Sequence, residues 1–134
     1  MTEFDISINA NQVSPLSLAY IGDAVYELYI RSYIMHTVNM PVAKLHKAAT
    51  KFVSAKSQSK IYHMIKESLT EEESTAFKRG RNAHSYTSAK NADIVEYRTA
   101  TGLEALIGYL YIKKDTKRLE EIITMCIHSA ESEE

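Results

Sequence analysis

The chain has 134 residues, a net charge of −1 at pH 7, 45% hydrophobic residues and 25% charged residues, an ordinary composition for a soluble globular protein. This length suits one domain with a core of its own and leaves little room for a second domain. Cys126 is the single cysteine, so the sequence excludes an intramolecular disulfide and a cysteine-based metal site, and we expect a reducing cytoplasm as its setting.

The pattern of residues favours an all-α fold. Glycine and proline are scarce, with four and two residues, and no run of short alternating segments predicts strands. We expect a single domain over residues 1–134 with about six to seven helices, a flexible amino terminus over 1–13 and an acidic tail over 130–134. The terminus lacks the basic and apolar parts of a signal peptide, and no apolar stretch approaches the ~18 residues of a transmembrane helix.

The first two helices are predicted from their start signals and their apolar spacing. Ser14-Pro15 supplies a cap and a proline at the first helical position, so a helix should begin there and run to about His36. A proline-containing break follows at residues 39–41. The apolar residues after it recur at helical spacing, which predicts a second helix from about Val42 to Lys66, bent near residues 54–59.

The rest of the chain contains further helices and one loop. Residues 70–73 form a capping box before a third helix that should end near Arg79-Gly80. Residues 81–91 lack apolar periodicity and are predicted to form an exposed loop. A short helix over 93–99, a helix over 102–112 and an amphipathic helix from Thr116 to about Ser129 should follow in that order.

Two carboxylates interrupt the most apolar segments of the sequence. Asp23 lies within residues 16–30 and Glu104 within residues 102–112, and both segments are apolar on nearly every face, which predicts helices buried most of the way round. An ionised carboxylate in such surroundings needs hydrogen bonds, a cationic partner or a metal ion. The two acids can therefore meet around one divalent cation. Alternatively, Asp23 binds no metal and only forms an ion pair with an arginine. The candidates are Arg31, Arg98 and Arg118.

A glycine accompanies each of these acids. Gly22 precedes Asp23, and Gly108 lies one turn after Glu104. Glycine costs ~1 kcal/mol relative to alanine inside a helix, so close packing must compensate for it. We therefore expect the two helices to cross near the acids. Mg²⁺ suits such a place because it takes hard oxygen ligands, keeps several waters and usually binds one or two carboxylates plus substrate phosphates.

The small net charge conceals two basic stretches that contain no acid. Residues 44–66 carry six lysines, and residues 78–90 carry two lysines and two arginines. Either stretch can contact nucleic-acid phosphates, although the lysines of the first can equally form a solvated helix face. The candidate contact residues are Lys44, Lys47, Lys51, Lys78, Arg79, Arg81 and Lys90.

Two segments resemble the signature motifs of the ribonuclease III family. Residues 18–25, Leu-Ala-Tyr-Ile-Gly-Asp-Ala-Val, resemble Leu-Glu-Phe-Leu-Gly-Asp-Ala-Val, and residues 104–108, Glu-Ala-Leu-Ile-Gly, resemble the end of Asp-x-x-Glu-Ala-Leu-Ile-Gly. Their order and separation also agree, over nearly the whole chain, and no residues remain for the double-stranded-RNA-binding domain that usually follows. With Lys-Arg-Gly-Arg-Asn-Ala at residues 78–83, the sequence is similar to the truncated branch called Mini-ribonuclease III.

This resemblance implies an all-α ribonuclease III-type domain that hydrolyses double-stranded RNA with Mg²⁺ and leaves 5′-phosphate ends. Asp23 and Glu104 would be its catalytic and metal-binding residues. It also implies maturation of the 23S ribosomal RNA precursor by a homodimer, with the apolar surface of residues 16–30 as the dimer face. A ribosomal protein is a further candidate partner, whereas neither DNA nor a membrane is expected.

The match has two gaps. The family pattern places an acid four residues before Asp23 and another three residues before Glu104, where this chain has Ala19 and Thr101. The number of bound metals therefore stays open, and so does an alternative function as a non-catalytic, ribonuclease III-like RNA-binding scaffold. Thr101 can hold a metal-bound water through its hydroxyl. Glu27, one turn after Asp23, is either a substitute ligand or a member of an ordinary salt bridge.

Overall fold

The computed structural model describes residues 8–83 and 93–132, and both ranges are helical, which confirms the predicted all-α class. Within them lie six α-helices, a number that agrees with the prediction. No helix in these ranges has the length and hydropathy of a membrane span. The helices are α1 (Pro15–Thr37), α2 (Val42–Val53), α3 (Ala55–Ile65), α4 (Glu71–Asn82), α5 (Ile94–Lys113) and α6 (Thr116–Ser132).

Helix α5 is the central element, and α1, α3, α4 and α6 all pack against it. Its residues from Gly102 to Leu110 are buried except for Glu104, so the prediction of a helix buried most of the way round is confirmed for α5. Helix α6 closes the core with its amphipathic face, on which Cys126 is completely buried. Helices α1 and α3 both pack against α5, and each supplies a neighbour of Glu104.

Side-chain caps fix the starts of α1, α3 and α4. Ser14 accepts a hydrogen bond from the Ser17 amide at 3.2 Å before α1, as predicted. The predicted capping box is confirmed before α4, where Thr70 and Glu73 exchange bonds of 2.9 and 3.1 Å. Ser54 has an extended backbone (φ −66°, ψ 151°) and caps α3, so the single bent helix predicted over residues 42–66 is in fact two helices.

Several predicted boundaries are wrong. Helix α5 is continuous, in place of separate helices over 93–99 and 102–112. The hydroxyls of Thr99 and Thr101 bond within the helix, to carbonyls of the preceding turn at 2.8 and 3.0 Å, and do not interrupt it. Helices α4 and α6 extend through Asn82 and Ser132, past their predicted ends, so residues 81–82 and 130–132 are helical.

Part of the predicted flexible terminus lies within the described residues. Residues 10–12 form a 3₁₀ turn, Ala10 is buried, and the Tyr109 hydroxyl donates to Asn11 at 3.2 Å, so this part of the terminus packs on α5. The remainder of that prediction, residues 1–7, lies outside the described ranges, as do most of the predicted loop with Lys90 and the last two residues of the tail.

Helices α1 and α5 cross with their backbones in contact, as the two glycines predict. A β-carbon added to Gly22 would overlap the Glu104 carbonyl and lie 2.7 Å from the Gly108 amide nitrogen. One added to Gly108 would lie 2.8 Å from the Leu18 carbonyl carbon. Any larger residue must push the helices apart, since protein interiors are already close-packed. The crossing therefore fixes the two acid-bearing turns against each other.

Candidate active site

Asp23 of α1 and Glu104 of α5 meet at this crossing. The Glu104 carboxyl lies within hydrogen-bonding reach of the Asp23 carboxyl. Glu104 is half-buried, whereas Asp23 is exposed, so the prediction that both acids are buried is wrong for Asp23. The difference arises because α5 is surrounded by other helices, while α1 leaves one side open to solvent.

No basic residue neutralises this pair within the described part of the chain. Of the arginines that the sequence offered to Asp23, Arg31 pairs with Glu27 at 3.2 Å and Arg118 pairs with Glu73 at 2.7 Å. Arg98 is exposed on α5 and pairs with neither acid of the site in residues 8–83 and 93–132. The two carboxyl groups therefore face each other with no basic side chain of the described residues paired to either.

Burial and the neighbouring carboxylate both disfavour ionisation of Glu104. Burial is the larger cause and the Asp23 carboxyl the next, and together they raise the pKa of Glu104 to about 8. The Gln58 amide acts in the opposite direction and lowers this pKa, while the charge of Glu27 raises it further. Two acids that share one site cannot both ionise cheaply without a counter-charge. The geometry therefore favours binding of a cation between them.

Gln58 was not among the residues singled out from the sequence. It lies on α3, is only 2% exposed, and places its amide against the Glu104 carboxyl. A detectable signal was present, because Gln58 shares its helical face with Ile61 and Ile65, both of them core residues. A polar residue at such a position needs a buried hydrogen-bonding partner.

The two subsidiary candidates flank the acid pair. The Thr101 hydroxyl donates to the Tyr97 carbonyl at 3.0 Å, which leaves its oxygen lone pairs available one turn before Glu104. Glu27 forms the salt bridge that was one of its two predicted roles, while its charge still acts on Glu104. No three histidine, cysteine or acidic side chains converge anywhere in the described ranges. Two carboxylates nevertheless match the ligand number that Mg²⁺ commonly takes from protein.

The predicted RNA-contacting residues of α4 differ in their surroundings. Gly80 packs on α5 beside Thr101, so this end of α4 lies against the segment of α5 that carries Glu104. Lys78 is exposed, and Arg81 lies 5.7 Å from the Phe77 ring. Arg79 instead donates to the Val13 carbonyl at 3.1 Å and so ties α4 to the segment before α1.

The basic residues of α2 form a second group. Lys44 and Lys47 are exposed. Lys51 is half-buried, and its ammonium lies 5.2 Å from the Phe52 ring centre. Lys44 and Lys47 are therefore the residues of this helix that are most open to a ligand.

Comparison with known protein families identifies the segment that contains this site. The family model described as the ribonuclease III domain matches residues 16–115, which include both acids and both glycines. The chain belongs to the ribonuclease III family. This membership identifies it as an endoribonuclease.

Relatives within the family are similar over most of their length. A Mini-ribonuclease 3 of Enterococcus faecalis is 50% identical over 118 residues, which cover 87% of this chain and 89% of the relative. That of Clostridium tetani is 53% identical over 87% of this chain and 78% of its own. A crystal structure of a protein from Fusobacterium nucleatum is 35% identical, with a TM-score of 0.79 over 91% of this chain and 98% of that one.

Replacing Glu104 with glutamine should stabilise the metal-free protein at about pH 8 and change little at about pH 5. The folded-state pKa of about 8 exceeds the ordinary value of 4.5, so the folded state binds this proton more tightly than the unfolded state. Glu104 therefore destabilises the fold increasingly as the pH rises between these values, because the unfolded state releases this proton while the folded state retains it, and a neutral amide removes that effect. Urea unfolding in EDTA should show a gain on the order of 1 kcal/mol at about pH 8.

The exposed Glu67→Gln variant is the matched control, and it should leave the pH dependence of stability unchanged. An E104Q variant that is less stable than the parent at about pH 8 would contradict the conclusion that Glu104 destabilises the metal-free fold at this pH.

Proposed function

We propose that this ribonuclease III family member cleaves double-stranded RNA with Mg²⁺ held by Asp23 and Glu104. The observation that carries the proposal is the meeting of these two carboxyls, from distant parts of the chain, without a basic partner in the described residues. Such a pair raises the energy of the metal-free site and offers hard oxygen ligands. Similarity to proteins named Mini-ribonuclease 3 supports the same substrate class.

The side chains around the pair have separate functions in this proposal. A bound divalent cation would activate a water and neutralise charge on the scissile phosphate. Asp23 is exposed and faces the side from which RNA must approach, whereas Glu104 is anchored deeper in the core. The Gly22–Gly108 contact keeps the distance between the two turns constant. Thr101 can accept a hydrogen bond from a water beside the acids, and Glu27 adds negative charge nearby.

Basic residues around the acid pair supply binding to the RNA backbone. Double-stranded RNA is recognised mainly through its shape, its phosphates and its 2′-hydroxyls. The end of α4 packs beside Thr101, and this supports Lys78 and Arg81 as residues that contact the RNA backbone. The exposed lysines of α2 and, outside the described ranges, Lys90 extend the same interaction.

A homodimer is the second part of the proposal. Helix α1 exposes large apolar side chains along one broad side, with Leu16 38%, Tyr20 83% and Leu28 65% accessible. A continuous exposed apolar surface commonly marks an interface between proteins. Asp23 lies one turn from Tyr20, so a twofold contact through α1 would place two acid pairs near one another, one for each RNA strand.

The physiological role follows from the resemblance to the Mini branch. We infer maturation of the 23S ribosomal RNA precursor in the cytoplasm, with a ribosomal protein as a candidate partner and 5′-phosphate products. The competing function is a non-catalytic RNA-binding scaffold. It is favoured by Ala19 and Thr101, which stand where the family pattern has acids. A cleavage assay distinguishes the two.

Replacing Asp23 with asparagine should abolish cleavage of a long RNA duplex in Mg²⁺. Asparagine keeps the shape but loses the anionic ligand, so the rate should fall by more than the roughly 10–100-fold that loss of a supporting group costs. Asp115→Asn is the matched control. Asp115 caps α6 by accepting from the Arg118 amide at 3.2 Å, and asparagine caps equally well. Equal activity of D23N and the parent would refute the site, while an inactive parent that still binds RNA would favour the scaffold.

Replacing Lys78 and Arg81 together with glutamine should weaken duplex RNA binding and flatten its salt dependence. Arg79 is retained because it holds the Val13 carbonyl. The slope of log K against log salt should fall by about 1 for each phosphate that the variant no longer neutralises. Filter binding at several salt concentrations measures this slope.

The control for this experiment neutralises Lys114 and Lys117 at the turn between α5 and α6. Lys114 lies ten positions, or roughly 15 Å of helix, beyond Glu104, and Lys117 follows in the first turn of α6. A parental salt slope in the Lys78 and Arg81 variant would remove α4 from the RNA-binding surface.

Replacing Tyr20 with aspartate should convert a dimer into a 15.2 kDa monomer. The change introduces a charge at the most exposed aromatic of the α1 surface, where burial on association would desolvate it. Sedimentation velocity measures the result. Tyr111→Asp, at a residue that is 44% exposed on α5, should leave the association unchanged. A parent that sediments as a monomer at every concentration would contradict the proposed dimer.

A further inference from the structure

The buried polar residues of the described ranges are Gln58, Ser59, Glu73 and Thr99. Two of these have an evident structural partner. Glu73 completes the capping box of α4 and receives bonds of 2.7 and 2.9 Å from Arg118. Thr99 bonds within its own helix, to the Val95 carbonyl. Gln58 differs, because the group that its amide meets is the Glu104 carboxyl.

The α2–α3 junction holds Gln58 in place. Ser54 caps α3, and its carbonyl accepts from the Gln58 amide nitrogen of the backbone at 2.8 Å, so the backbone of Gln58 is already satisfied. The buried Tyr26 hydroxyl of α1 donates to the Phe52 carbonyl at 2.8 Å and fixes the end of α2. The Gln58 side chain is thereby directed from α3 towards α5, where it has no room to reach solvent.

An amide at this position has a specific effect on a carboxylate. Its NH₂ group donates but carries no charge, so it favours the ionised form of Glu104 without competing for a bound cation. Leaving a buried amide unpaired is costly, so the contact also restricts the rotation of the Glu104 side chain. An arginine or lysine here would neutralise the acid pair. An apolar residue would leave the carboxylate without a donor.

We propose that Gln58 is a positioning residue for Glu104, whose amide holds one carboxylate oxygen and leaves the other facing the space shared with Asp23. The inference rests on the proposed metal-dependent cleavage and adds a residue to it. Gln58 is too deeply buried to touch RNA, so it acts only through Glu104. Outer partners of this kind orient metal ligands, and their loss typically costs roughly 10–100-fold in metal affinity or activity.

The test replaces Gln58 with methionine, which has a similar length and no amide, and separately with leucine. Binding is measured with Mn²⁺ alone, by water-proton relaxation, and each value is corrected for the folded fraction seen by circular dichroism. Both variants should bind Mn²⁺ about 10-fold more weakly than the parent and lose activity to a similar degree. Binding of duplex RNA in EDTA should stay unchanged. Ser59→Ala, a buried neighbour on the same helix, should bind Mn²⁺ as the parent does.

The outcomes separate the inference from the function on which it rests. Variants that fold and bind Mn²⁺ with parental affinity overturn the role of Gln58 and leave the metal site intact. A loss that merely follows the unfolded fraction, or that Ser59→Ala reproduces, assigns Gln58 to packing and overturns the inference as well. A parent that binds no Mn²⁺ refutes the metal site itself, and the inference with it.

Discussion

The backbone contact between α1 and α5 determines the geometry of the acid pair. Gly22 and Gly108 let the two helices approach until the main chain of one touches that of the other. This closeness brings Asp23 within reach of Glu104, although the two residues are far apart in sequence. If the two helices lay further apart, their acids would not share one site. Each glycine lowers the stability of its helix by ~1 kcal/mol relative to alanine, and in return the close helix contact fixes the distance between two acidic groups.

The same contact creates an electrostatic conflict inside an otherwise well-satisfied fold. Ion pairs elsewhere in the fold, such as Glu73 with Arg118 and Glu72 with Lys113, join oppositely charged groups. At the α1–α5 crossing two acidic side chains face each other instead, and there the pKa of Glu104 is raised. Residues that store such strain concentrate at functional sites, because the function relieves it. The destabilising pair and the proposed catalytic pair are one and the same.

Much of this arrangement was predictable, because the relevant signals are local. The capping box at Thr70, the helix start at Ser14 and the two glycines each have a short-range physical cause that a single sequence reveals. The position of a break or a continuation was less predictable. Ser54 ends one helix and caps the next, while the threonines of α5 stay helical and bond their hydroxyls to carbonyls of the preceding turn.

The errors at the site itself have a tertiary origin. The exposure of Asp23 depends on which side of α1 the other helices cover, and an apolar sequence does not distinguish a core face from an interface. The spacing of Gln58 with Ile61 and Ile65 indicates a polar residue on a core face, but its partner, Glu104, became known only from the helix packing. The roles of Asp23, Glu104 and the basic residues in catalysis and RNA binding stay predictions.

The complete burial of Cys126 on α6 gives this fold a chemical reporter of its own motions. Burial raises the pKa of its thiol to about 12, so the reactive thiolate is almost absent while α6 stays docked. An alkylating reagent can therefore modify the chain only during openings that expose this helix. The rate of labelling measures how often such openings occur, without any engineered probe.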